Sequence, residues 1–91
     1  MQITRLMGST AAAPTATGSA TTVESADYVM LHNSGSTLRL VTVQTAADGT
    51  TLATMQLSGG DRVIIKKDPS EVIFAAHAEV LLTNVDPMVV N

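Results

Sequence analysis

The side chains best suited to acid–base or metal chemistry are two histidines, His32 and His77, and the aspartates Asp48, Asp61, Asp68 and Asp86. Their spacing does not assemble a reaction centre. A serine nucleophile needs a positioned histidine, itself oriented by an acid, and neither histidine stands in a G-x-S-x-G elbow. The chain has no cysteine, which removes the thiolate nucleophile and the soft metal ligands. A zinc site needs three or four ligands, more than two isolated imidazoles supply. The four aspartates sit in turn-like contexts, where a short carboxylate hydrogen-bonds nearby backbone, rather than as a pair facing across a cleft. Ser58-Gly-Gly-Asp61 is glycine-rich but lacks the lysine and following helix of a phosphate loop, and reads as a hairpin turn. Lys66-Lys67 is followed at once by Asp68 and reads as a solvated loop or a salt bridge to a neighbour. With one Tyr, one Phe and no Trp, the chain has no platform on which bases or sugars could stack. The expectation is a protein with no catalytic residue, no metal and no cofactor.

These residues are carried by short strands. Gln2–Leu6 alternates enough to pair. Asp27–His32 alternates and ends at the turn cluster Asn33-Ser-Gly-Ser36. Thr37–Gln44 is β-branched, and Ala47-Asp-Gly49 turns it back into Thr50–Leu57, with Ala53, Met55 and Leu57 on one face. Arg62–Lys66, Glu71–Ala75 and Ala78–Thr83 complete the run. The spacing predicts strands over 28–33, 37–44, 51–57, 62–66, 71–75 and 78–83. Nowhere do apolar residues recur at helical spacing over eleven positions. Short strands with turns every 8–12 residues predict an all-β fold, a small two-layer sandwich or compact barrel.

Ninety-one residues, 45% hydrophobic and only 14% charged, describe one globular domain with a weakly charged surface, against an average near 25% charged. So short a chain buries about 60–65% of its unfolded surface, its core must be aliphatic, and it has no disulfide. Oligomerisation or docking is the remaining common source of stability. A net charge of −3 argues against nucleic acid. No apolar run approaches the roughly 20 residues of a membrane helix, and Met1–Met7 does not read as a secretory signal.

The expected organisation is an N-terminal strand and extended low-complexity arm over residues 1–25, a sandwich over 26–84 and a C-terminal docking tail over 85–91. Gly8–Ser25 is nearly all Gly, Ser, Thr and Ala and reads as a flexible linker or as an extended arm lying across a neighbour, with Gly8–Thr22 expected to be mobile in the free protein and ordered in its assembly. Three apolar runs, Leu40-Val41, Val63-Ile64-Ile65 and Val72-Ile73-Phe74, interrupt alternation and would place apolar side chains on an outer face. The expected interface residues are therefore Val23, Tyr28, Met30, Val41, Ile64 and Ile73, with Met88, Val89 and Val90 beyond the strand-breaking Pro87.

From Tyr28 to Leu82 the chain resembles the small β-rich structural proteins of tailed bacteriophages. The resemblance rests on Val-Met-Leu-His-Asn-Ser-Gly at 29–35, Ala-Asp-Gly at 47–49, and Leu-Ser-Gly-Gly-Asp-Arg-Val-Ile-Ile-Lys-Lys-Asp-Pro-Ser at 57–70, with low aromatic and cysteine content. It implies a capsid decoration or cement protein on the capsid exterior, assembled in the host cytoplasm. Such a protein binds the major capsid protein or another virion protein as a dimer or trimer, with no contact to nucleic acid or membrane. The alternatives are a head–tail, neck or tail component, and a small cellular β-sandwich that binds other proteins.

Overall fold

The computed structural model describes residues 2–89, and the side chains of residues 4–87. Among the described residues eight strands form in chain order: β1 (Gln2–Leu6), β2 (Ala11–Ala12), β3 (Tyr28–Asn33), β4 (Arg39–Gln44), β5 (Thr51–Leu57), β6 (Arg62–Lys66), β7 (Val72–Ala75) and β8 (Val80–Val89). A single turn of 3-10 helix, Thr17–Ser19, lies between β2 and β3. The strands make two antiparallel sheets. One has the order β1-β8-β3-β6, with β2 also on β8; the other is β5-β4-β7. The shortest dimension of the molecule, 21 Å, fits two sheets stacked about 10 Å apart. The fold is an all-β sandwich.

The alternation read from the sequence decides which side chains are shared between the sheets. In β3, Val29, Leu31 and Asn33 point inward, while Tyr28, Met30 and His32 point outward. Leu31 pairs with Leu82 on β8 and with Val63 on β6, so one row of aliphatic side chains crosses that sheet. The facing row is Val41, Leu57, Ile73 and Ala75, with Val43 and Met55 partly buried against it. The apolar runs that break alternation each send at least one side chain into the core and leave others outside, Leu40 being 44% exposed next to buried Val41. Val63 and Ile65 turn inward and leave Ile64 outside, and Ile73 turns inward between Val72 and Phe74.

Among the described residues only the β4–β5 connection is a hairpin. Its turn, Ala46–Gly49, closes with Gly49 N–H donating to Ala46 O (2.8 Å). The residue at positive φ is Asp48 (56°) rather than Gly49, and an aspartate tolerates that region by bonding locally. Ser58–Asp61, expected as a hairpin, is instead an arch between sheets, because β5 pairs with β4 and β6 pairs with β3. Its turn chemistry is unchanged: Gly60 takes φ 81° and Asp61 N–H donates to Ser58 O (3.0 Å). Turn residues specify how the chain reverses, and they do not say whether the next strand returns to the same sheet.

Asn33 ties this end of the sandwich together. It is fully buried, its Nδ2 donates to Thr37 O (2.7 Å) and Leu57 O (2.9 Å), and its Oδ1 accepts from Gly35 N–H (3.0 Å). Gly60 N–H donates to its carbonyl and its own N–H donates to Asp61 O. One residue, through its side chain and its main chain, therefore ties together the β3–β4 and β5–β6 crossings between the sheets.

The segment expected as a mobile arm belongs to the domain. Ala11 and Ala12 pair with Leu82 and Leu81, and Ala13 N–H donates to Val80 O (2.8 Å). The chain then crosses to the other sheet, where Pro14 O accepts from Ala75 N–H and Thr21 exchanges two bonds with Ile73. Ala13, Val23 and Ala26 join the core cluster. Small side chains allowed this close backbone approach, to the chain's own strand edges. The expected division at residues 25 and 84 is likewise not a structural boundary, since β8 continues to Val89. Pro87 does not break that strand: it pairs with Thr4 on β1 and lies beyond the last β3 partner, Val85, so its missing N–H is tolerated on the open flank of β8.

Candidate interaction surface

The two flanks of the sandwich are finished differently. On the β7–β8 flank, residues 11–26 bridge the sheets. On the opposite flank β5 and β6 are the last strands of their sheets, and among the described residues no strand lies beyond either. Between them opens a cleft of about 230 Å³, lined by Val41, Val43, Leu52, Ala53, Met55 and Ile65, with Lys66 and Glu71 at its rim. Its walls are apolar because the inward positions of β4, β5 and β6 run past the point where the opposite sheet covers them. Leu52, 49% exposed at the cleft, sits at a bulge: the register of β4 and β5 shifts between Val43 and Gln44, leaving Leu52 without a partner. The strand edge beside the cleft, Thr51–Leu57, carries no charged residue and no proline.

The residues expected at an interface separate into three groups. Val23, Val41 and Ile73 are 8%, 1% and 0% exposed and belong to this chain's own core; Val23 and Ile73 offer nothing to a partner, and Val41 reaches only the cleft wall. Val41 and Ile73 are the inward members of their apolar runs, and Val23 is drawn in by the segment that bridges the sheets. Tyr28, Met30 and Ile64 are half-buried on the outer face of the larger sheet, where Met30 pairs with Ile64 and the Lys66 ammonium stands 5.1 Å from the Tyr28 ring centroid. Met88 and Val89 lie on the end of β8, but their side chains, and all of Val90, fall outside the described residues. The cleft shares only Val41 with the expected set. Leu52, Ala53 and Met55 were legible as an uncharged strand, and the missing signal was that β5 has a neighbour on one side only.

The polar side chains hold structure. His32 Nδ1 lies 3.2 Å from Asp61 O, and His77 Nδ1 accepts from Glu79 N–H (3.0 Å). Glu79 pairs with Arg39 (2.5 Å) at one end of the sandwich. Lys67, expected in a solvated loop, is only 4% exposed. Its Nζ donates to Ala26 O (2.8 Å) and Asp68 O (3.2 Å). Burial pushes its pKa below the ordinary lysine value, partly offset by Glu71, Asp27 and Asp68. Its partner Ala26 ends a left-handed turn in which Val23, Glu24 and Ser25 all have φ between 54° and 60°. That conformation costs roughly 1–2 kcal/mol per non-glycine residue. The turn is held by Ser25 N–H to Thr22 Oγ1, Ala26 N–H to Thr22 O, and the Lys67 ammonium. Among the described residues no three His, Asp or Glu side chains gather as a metal site.

The class defined by these features is a small antiparallel β-sandwich closed by its own N-terminal segment on one flank and open on the other. No known protein family, curated protein or solved structure matches the chain.

Proposed function

We propose that this chain is a non-enzymatic structural protein of a phage particle, a decoration protein that binds the outer capsid surface and stabilises it by bridging subunits of the major capsid protein. The observation that carries the reading is the open flank: an apolar cleft beside an uncharged strand edge, on a molecule with few charges elsewhere. An edge of this kind is a template for pairing with another chain, and proteins that remain alone blunt it with lysine, proline or a covering segment. The β7–β8 flank has such a covering segment. The likeness of the 29–35, 47–49 and 57–70 stretches to phage structural proteins supplies the setting. The N-terminal segment does not support this reading, since it is absorbed by the fold; of the apolar runs, Leu40 and Ile64 remain on outer faces and are consistent with it.

Heat challenge of particles with and without the protein tests the proposal. Complete particles should survive temperatures at which depleted ones release their genome. Equal survival removes the cementing role, and recovery of the protein at the neck or tail would assign it there instead.

A further inference from the structure

We infer that the β5 edge is completed by a second copy of this chain, joined antiparallel about a two-fold axis at Met55, so that two three-stranded sheets become one of six strands. The inference gives an occupant to part of the open flank and rests on the reading above only for its setting.

The argument for a second copy is one of charge and register. Beyond the bulge at Leu52, the regular part of β5 is Ala53–Leu57. Laid antiparallel on itself about Met55, it sets Ala53 opposite Leu57, Thr54 opposite Gln56, and Met55 opposite its own copy. No like charges meet. The faces also agree. Ala53, Met55 and Leu57 continue the inward apolar layer across the junction, while Thr54 and Gln56, both exposed, make a neutral polar row outside. A two-fold contact of this sort is self-complementary and closes after two copies, which avoids the open-ended stacking that a bare edge invites.

The neighbouring edge cannot do the same. β6 laid on itself about Ile64 would set Arg62 opposite Lys66 at both ends, and like charges directly opposed destabilise a strand pair. The two edges on the open flank thus differ in kind: β5 is compatible with its own copy, and β6 is protected against it. Joining at β5 also brings the two clefts together, since Ala53 and Met55 line each of them.

Sedimentation of the free, full-length protein over a range of concentrations tests this, with two double variants at the exposed outer positions. T54K/Q56K places lysine opposite lysine twice across the junction and should weaken self-association roughly tenfold or more. T54K/Q56E adds as many charged residues but places lysine opposite glutamate, and should associate at least as well as the parent. Far-ultraviolet circular dichroism establishes that both variants keep the β fold. A parent that stays monomeric throughout overturns the inference and leaves the edge to a different protein. It is also overturned if T54K/Q56K dimerises like the parent. If both variants are monomeric, the register about Met55 is wrong. Because no particle is present, failure here is distinct from failure to bind a capsid.

Discussion

The two flanks of this sandwich are built from similar residues and reach opposite ends. On the β7–β8 flank, Ala13, Pro14 and Thr21 of a segment rich in alanine and threonine lie against strand edges, hydrogen-bond to Val80, Ala75 and Ile73, and shut the core. On the β5–β6 flank, threonines and alanines of the same character lie along an edge that nothing in the described chain covers. Small uncharged side chains permit close backbone approach in both places. What differs is whether the approaching backbone belongs to the same chain. Low-complexity sequence therefore marks where another strand can come close, and does not say whose strand it is.

The sharpest way to break this comparison is to truncate an equivalent aliphatic side chain on each flank. Ile73→Ala, beneath the covering segment and fully buried, should cost about 3–4 kcal/mol in urea unfolding of the free chain. Leu52→Ala, half exposed in the cleft, should cost less than about 0.5 kcal/mol in the same measurement, and should instead weaken assembly. Comparable losses for the two would mean that the flanks are not finished differently.

Asn33→Ala should rank next. It removes the donors to Thr37 O and Leu57 O and the acceptor for Gly35 N–H in a buried site, for a loss of about 3 kcal/mol. Both crossings near β5 depend on it, so hydrogen exchange at 34–38 and 58–61 should quicken more than at 11–14. Uniform acceleration would argue against a local tie.

Lys67 sharpens the closed flank through pH. Burial depresses its folded pKa, so between that lowered value and the ordinary lysine value the unfolded chain binds the extra proton. Stability then rises with pH across that alkaline window, and is lowest, for this group, once pH falls below the folded value. Lys67→Met should remove this rise, seen as the difference between parent and variant unfolding curves. Parallel pH dependence in the two would show that the ammonium is not desolvated in the fold. The smallest effect is expected at Ser25, exposed at φ 56°. Ser25→Gly relieves a left-handed strain of roughly 1–2 kcal/mol against glycine's own entropic cost, for a net gain of about 0.5–1 kcal/mol in thermal unfolding. A loss would mean that the serine hydroxyl holds the turn.

Most of the strands were legible. Tyr28–Asn33, Thr51–Leu57 and Arg62–Lys66 fall where alternation and turn residues put them, because a strand with one buried face writes its period into the sequence. The assignment of strands to sheets was not legible. Ser58–Asp61 carries the residues of a hairpin and makes an arch, since a glycine at positive φ serves either reversal. Residues 11–26 escaped for another reason: only Ala13, Val23 and Ala26 are buried there, too few to show a period, and their order comes from backbone hydrogen bonds that side-chain patterns do not report. The open flank was hidden by the same limit. Ala53 and Met55 have the alternation of any half-buried strand, and only the partner list of β5 reveals an edge.

Hydrogen exchange of residues 51–57, compared between the dilute free chain and the assembled protein on its particle, tests the role of the open flank most directly. Assembly should slow exchange of outward-facing β5 amides by an order of magnitude or more, while residues 11–14 and 21–23 are already protected in the free chain. Unchanged exchange over 51–57, with new protection appearing in 11–23, would contradict it and return the N-terminal segment to the role of a docking arm.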